Sequence, residues 1–189
     1  MTLRDLNVLP SDLPAPEDDG TARHLEGTQM PDLSLPSTTG RSVDLRGLTT
    51  VLFAYPRTGQ PGKQPLVPEW DQIAGARGCT PQVCGFRDEL DRIRSRGFLV
   101  HGVSTQSPSY QAEAAARLHL TFPLLSDESL MLTHALKLPV FTVADQILMK
   151  RLALVIVRGV IRKVFYPVFP PDQNASVVIE WLEANAVTA

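Results

Sequence analysis

Cys79 and Cys84 are the residues of this 189-residue chain whose type and spacing most directly suggest chemistry. Cys79 stands where a glycine-containing loop enters a helix, and the amides and dipole of a helix start favour a thiolate over a thiol. Arg77 adds a positive charge beside it, and the small residues Ala76 and Gly78 let backbone approach a bound substrate. Cys79 is therefore the candidate nucleophile. Cys84 follows five residues later in the same predicted helix, which places it roughly 140° around the axis and about 7.5 Å along it. A disulfide needs α-carbons within about 7 Å, so this pair closes only if the first turns of the helix unwind. The spacing predicts local unfolding coupled to redox state. A plainer alternative makes one thiol ordinary helix packing and the other a bystander. A Cys-x-x-Cys exchange site is disfavoured by the four intervening residues. Zinc would need two further ligands, and His24, His101, His119 and His134 show no ligand spacing.

Several elements must position this pair. Val51-Leu52-Phe53-Ala54-Tyr55 is a short apolar run stopped by Pro56, the pattern of a central strand buried on both faces. A long loop, residues 57–78, holds four Gly and three Pro with little periodicity. Val83, Phe86, Leu90 and Ile93 then mark the apolar face of one amphipathic helix, with Thr80 as its expected cap, Pro81 in its first turn and Gly97 at its end. Residues 98–103 read as another buried strand, Ser107-Pro108 opens a helix to about His119, and a strand at 122–125 precedes a helix at about 128–136. Residues 151–157 and 160–165 flank Arg158-Gly159 as a hairpin, and a last helix runs from Asp172 to about Asn185 with Val177, Val178, Trp181 and Leu182 on one side. Ahead of all this, residues 30–35 and 42–45 alternate around Ser37-Thr38-Thr39-Gly40 as an N-terminal β-hairpin, preceded by an extended arm over residues 1–27. One α/β domain over residues 28–189 is expected, a mixed central sheet with helices on both faces in a thioredoxin-like layout.

Composition narrows the function. An apolar content of 43% excludes a disordered or collagen-like chain despite 16 prolines, nine of them in the first 68 residues. Eighteen Lys+Arg against 20 Asp+Glu lack the basic excess of a nucleic-acid binder. No run of about 18 apolar residues occurs, and residues 1–6 have neither the basic nor the apolar part of an export signal, so a cytoplasmic protein without a membrane partner is expected. Two cysteines are too few for a disulfide-stapled secreted scaffold.

Gly78-Cys79-Thr80-Pro81-Gln82-Val83-Cys84-Gly85-Phe86-Arg87-Asp88 resembles the active-site helix of the peroxiredoxins, in particular their bacterioferritin-comigratory or Q-type branch. Gly-Cys-Thr, a second cysteine five positions later, and Phe-Arg-Asp coincide after an apolar strand ending in Pro56, and the resemblance spans roughly Glu26 to Leu182. It implies a thiol peroxidase for hydrogen peroxide and organic hydroperoxides, with Cys79 as peroxidatic and Cys84 as resolving cysteine. Thioredoxin or a similar dithiol is the implied reductant; no bound cofactor or metal is implied, and a monomer or weak homodimer is expected. Arg151 resembles the family arginine that stabilises the departing oxygen, ahead of Arg87 and Arg158. Pro56, Thr58, Gly78 and Thr80 are the residues implied around the peroxide.

Two features depart from that pattern. The family has Pro-x-x-x-Thr-x-x-Cys, whereas Ala76 stands three before Cys79 and Pro56 stands 23 before it, an insertion of about 16 residues. Thr58 is the expected substitute for the missing hydroxyl. Gln82 replaces a carboxylate often found in the first helical turn, which is expected to loosen a contact to an arginine. The inserted segment, with Trp70, is an exposed decoration, a lid over Cys79 or a surface for a second subunit. The departures keep two alternatives open: a peroxide-sensing thiol protein with little turnover, and a silent thioredoxin-like interaction domain.

Overall fold

A computed structural model describes residues 5–185; residues 1–4 of the expected arm and 186–189 of the expected domain lie outside them. The apolar run forms β3 (Thr50–Ala54), buried at every position. It is the middle of a five-stranded sheet of order β5-β4-β3-β8-β9, with β4 at Leu99–Ser104, β5 at Leu124–Ser126, β8 at Leu152–Val157 and β9 at Val160–Phe165. β3, β4 and β5 run parallel, while β8 and β9 pair antiparallel beside them, with Val51 opposite both Val100 and Val155.

Strand alternation divides the interior in two. Val51, Phe53 and Tyr55 face one core with Val83 and Phe86 of α1 (Cys79–Asp88), Leu90 and Ile93 of α2 (Leu90–Ser95) and Val178 and Leu182 of α5 (Asn174–Ala184). Leu52 and Ala54 face the other, with Leu132 and Leu136 of α4 (Met131–Leu136) and Leu35 of the hairpin β1 (Ser34–Pro36) and β2 (Ser42–Asp44). Ala22 and Leu25 of the N-terminal segment are buried in that second core. The mixed sheet with helices on both faces is the thioredoxin-like arrangement.

Local differences from the sequence reading have identifiable causes. The single expected helix is two, broken at Glu89 (φ −97°, ψ 6°), yet Glu89 N–H reaches Gly85 O and Ile93 N–H reaches Glu89 O, so the apolar stripe continues across the break. α4 begins at Met131 instead of 128 because the Asp127 carboxylate accepts from the amides of Leu132 (2.9 Å) and Thr133 (2.8 Å). α3 (Pro108–Arg117) is capped by Ser107, whose Oγ accepts from Tyr110 N–H. In α5 Val178 and Leu182 are buried and Trp181 packs edge-on to Phe165, but Val177 faces solvent. An unforeseen hairpin, β6 (Val140–Val143) with β7 (Gln146–Met149), supports the inserted segment: Leu66, Val67, Trp70, Ile73 and Ala76 pack on Phe141, Val143 and Leu148.

Candidate active site

α1 starts at Cys79 because Gly78 sits at φ 103°, in the left-handed region. A β-carbon there would lie 2.3 Å from Pro171 Cγ and 3.0 Å from Leu9 Cδ2, so glycine alone fits the turn. The helix start is Gly78 and carries no side-chain cap; Thr80, expected as the cap, is buried within the first turn. The capping position belongs to the residue that can take positive φ, and no capping oxygen occupies the first amides. Phe86 anchors the helix by stacking on Phe53 of β3, ring centroids 4.2 Å apart, and Arg87 Nη1 donates to Leu118 O (3.0 Å) beyond α3.

Two donors converge on Cys79 Sγ: Arg57 N–H at 3.3 Å and Arg151 Nη2 at 3.3 Å. Arg151 is 3% exposed and enters from the residue preceding β8. Its Nη2 also faces the carbonyls of Gly75, Ala76 and Arg77 at 3.0–3.4 Å, and Nη1 donates to Gln82 Oε1. Gln82 Nε2 in turn donates to Asn174 Oδ1 at 2.9 Å. The contact expected to loosen at Gln82 is present: an amide oxygen accepts from the guanidinium as a carboxylate would, and the amide nitrogen finds its own acceptor at the start of α5. Arg87 turns instead to Asp88 and Leu118 O, and Arg158 lies in the β8–β9 turn, so of the three candidate arginines Arg151 is the one at the sulfur.

Thr58 is fully buried beside Cys79, and Pro56 is buried at the end of β3. Gln106 Oε1 accepts from Thr58 N–H (2.9 Å) and faces Thr58 Oγ1 (3.1 Å). A backbone N–H can only donate, so the facing atom is oxygen and the Thr58 hydroxyl proton is committed to it. The hydroxyl's lone pairs are left to accept. Gln106 is itself fixed, since its carbonyl accepts from Gln111 Nε2 (2.9 Å), whose Oε1 accepts from the buried Tyr55 hydroxyl. Ala76, where a threonine was expected, is fully buried against Trp70 and Leu148, which makes that place apolar.

Thr58, Gly78, Cys79 and Thr80 line one pocket with Arg57 and Arg77, and Leu6, Leu66 and Trp70 contribute apolar surface to it. It gives the centre of a water-sized molecule about 40 Å³, where one water needs ~10–15 Å³. A two-oxygen solute fits. Cys84 does not line this pocket; it is half-buried at the edge of the first core, where burial pushes its thiol pKa up against the opposing pull of Arg87 and Arg117. Both thiols are free and α1 is wound through both, the geometry of the dithiol state.

Arg57, Gln106 and the seating of Arg77 escaped the sequence reading. Arg57 acts through its backbone, with its guanidinium 4.6 Å over the Tyr110 ring, so its side-chain type carries no trace of the role. Gln106 is 48 residues from Thr58. Among the described residues no group of three or more His, Cys, Asp or Glu is placed to hold a metal, and no helix is long and apolar enough to cross a membrane.

A Redoxin family model matches residues 25–179. Escherichia coli K12 peroxiredoxin Bcp is 33% identical over 105 residues, covering 54% of this chain and 57% of that one, and chloroplastic peroxiredoxin Q of Gentiana triflora is 30% identical over 134 residues, covering 67% and 54%. The matches thus span a little over half the length of these curated relatives. Among solved structures, peroxidoxin BcpB from Mycobacterium tuberculosis has a TM-score of 0.67 at 25% identity, with 84% of this chain and 96% of that one covered. The bacterioferritin comigratory protein of Xanthomonas campestris, at TM-score 0.65 and 20% identity over 84% and 94% of the chains, shares the fold. With a family model matched over most of its length and these relatives, the chain belongs to the Redoxin family, as a peroxiredoxin of the bacterioferritin-comigratory, Q-type branch.

Proposed function

We propose that the protein is a cytoplasmic thiol-dependent peroxidase that reduces hydrogen peroxide and organic hydroperoxides. The observation that carries this reading is the convergence of Arg151 and the Arg57 amide on Cys79 Sγ, the cysteine lining a pocket with room for a two-oxygen solute. The Cys79 thiolate attacks the terminal peroxide oxygen; the O–O bond breaks, the sulfur is oxidised to a sulfenic acid, and the alkoxide or hydroxide leaves and takes up a proton. Negative charge grows on the leaving oxygen, where the buried guanidinium and the uncapped amides of α1 stabilise it more than in the ground state. Thr58, with its own proton given to Gln106, accepts the hydrogen of the hydroperoxide O–H and aims the peroxide at the sulfur. Gly78 and Thr80 shape the surrounding wall, whereas Pro56, buried beyond β3, does not line it.

The sulfenic acid then condenses with the Cys84 thiol, releasing water and forming the Cys79–Cys84 disulfide. A rise of ~7.5 Å over five helical residues requires α1 to unwind for this step. An external dithiol, thioredoxin or a similar protein, reopens the bond by exchange and is itself oxidised. The protein works as a monomer or weak homodimer.

The test is a coupled assay with hydrogen peroxide, thioredoxin, its reductase and NADPH. Wild type is expected to turn over continuously, Cys79→Ser not at all, and Cys84→Ser to form a sulfenic acid without thioredoxin-driven recycling. A single oxidation without turnover in the wild type would sink the peroxidase reading in favour of a sensor.

A further inference from the structure

The segment ahead of the Redoxin match contributes Leu6 to the wall of the Cys79 pocket. Four separate contacts fix it there. Arg77, 8% exposed, donates through Nη2 to the carbonyls of Asp5 and Val8. Leu9 packs at Gly78, Pro16 packs at Gly75, and Asp19 pairs with Lys150 Nζ at 2.6 Å while accepting from the Tyr166 hydroxyl at 2.8 Å. Between Asp5 and Val8, Leu6 reaches over Gly59, its Cδ2 only 2.9 Å from where a β-carbon on Gly59 would stand. Leu6 lines the same pocket as Cys79, as do Leu66 and Trp70 of the inserted segment.

We propose that Leu6 is a specificity-determining residue of the peroxidase, the apolar stop that admits hydroperoxides with a substituent of a few carbons and hinders larger ones. The inference rests on the peroxidase reading above and adds the determinant of substrate size. Arg57, Thr58 and Cys79 line the pocket and Arg151 reaches the sulfur without lining it, and the O–O bond must sit at that sulfur in any productive pose. The substituent then extends toward the rest of the lining, where Leu6, Leu66 and the ring of Trp70 offer apolar contact beside Lys63 and Gln64. Arg77 holds the stop in place: its largely buried guanidinium donates to two arm carbonyls, bonds that must be exchanged for water if the arm lifts. Gly59 allows Leu6 to come this close, because any side chain there would meet it.

The rate constants for reaction of reduced protein with hydrogen peroxide, tert-butyl hydroperoxide and cumene hydroperoxide, measured by stopped flow, test this. In Leu6→Ala the ratio of the cumene to the hydrogen peroxide constant is expected to rise about fivefold or more. In Leu6→Trp the ratio of the tert-butyl to the hydrogen peroxide constant is expected to fall by a similar factor. Ratios within one protein cancel any loss of folded material. Ratios unmoved within twofold in both variants, or moved the same way by both, overturn the role of Leu6. A wild type inert toward every peroxide overturns the peroxidase reading and this inference together.

Discussion

The two sulfurs sit five residues apart on one helix and occupy opposite environments. Cys79 is at the helix start, with two N–H donors on its sulfur and a pocket before it. Cys84 is at mid-helix against the core, where burial raises its thiol pKa and none of the pocket reaches it. Sequence spacing alone does this sorting: five helical steps carry a side chain from the face toward Pro56 and Thr58 to the face toward α3. On the proposed peroxidase reading, attack and resolution need different states of the helix: wound, α1 would present one sulfur to peroxide and keep the other a thiol; unwound, it would release Cys84 from the burial that suppresses its ionisation.

Removing what distinguishes Cys79 gives the largest expected effect. Arg151→Met should lower the rate constant of Cys79 with hydrogen peroxide by ~10²–10³, while alkylation of Cys84 in the folded protein is little altered. A loss under tenfold would mean the guanidinium is not what separates the two thiols. Thr58→Val, isosteric and without the accepting oxygen, should cost about tenfold or more in the same constant, with circular dichroism unchanged; an unaltered rate removes Thr58 from the site. A third measurement addresses Cys84 through pH. Its folded pKa lies above the ordinary value of 9.0, so the folded state holds that proton more tightly than the unfolded chain. The stability this contributes is complete below pH 9 and is lost as pH rises toward the folded pKa. Denaturation midpoints of Cys79→Ser should therefore fall more steeply from pH 8.5 to 10.5 than those of Cys79→Ser/Cys84→Ser, and parallel curves would contradict the burial argument. The smallest effect is at Arg87: Arg87→Met removes a cation that favours the Cys84 thiolate, and Cys84 alkylation at pH 8 should slow roughly twofold. Faster alkylation would show that Arg87 shields the thiol more than it charges it.

Much of this contrast was legible in residue order. The apolar run of β3, the stripe Val83-Phe86-Leu90-Ile93 and the β8–β9 hairpin were each visible as local pattern, because their burial is set by neighbours along the chain or by one strand partner. The β6–β7 hairpin was not, since its turn uses Ala144 and Asp145 at positive φ (47° and 60°) in place of the glycine or asparagine that would announce it. At the site, cysteine spacing and the resemblance led to Cys79, Cys84 and Arg151. Gln82 was legible as a position, and its partner Arg151 follows from the accepting oxygen that an amide and a carboxylate share. The partners of Thr58 and the arm carbonyls held by Arg77 depend on side chains brought together from 48 to 72 residues away, which no local pattern encodes.

The uncapped start of α1 at Gly78 bears on how long the oxidised sulfur survives. A glycine N-cap gives up only a few tenths of a kcal/mol relative to a capping side chain, so the turn that must open resists fraying slightly less than a capped one. Fraying competes with a second encounter with peroxide, which would carry the sulfenic acid on to sulfinic acid, a state that dithiols do not reverse. On the proposed peroxidase reading, a first turn that opens more easily shortens the sulfenic acid's lifetime and so lowers the chance of overoxidation when peroxide is abundant.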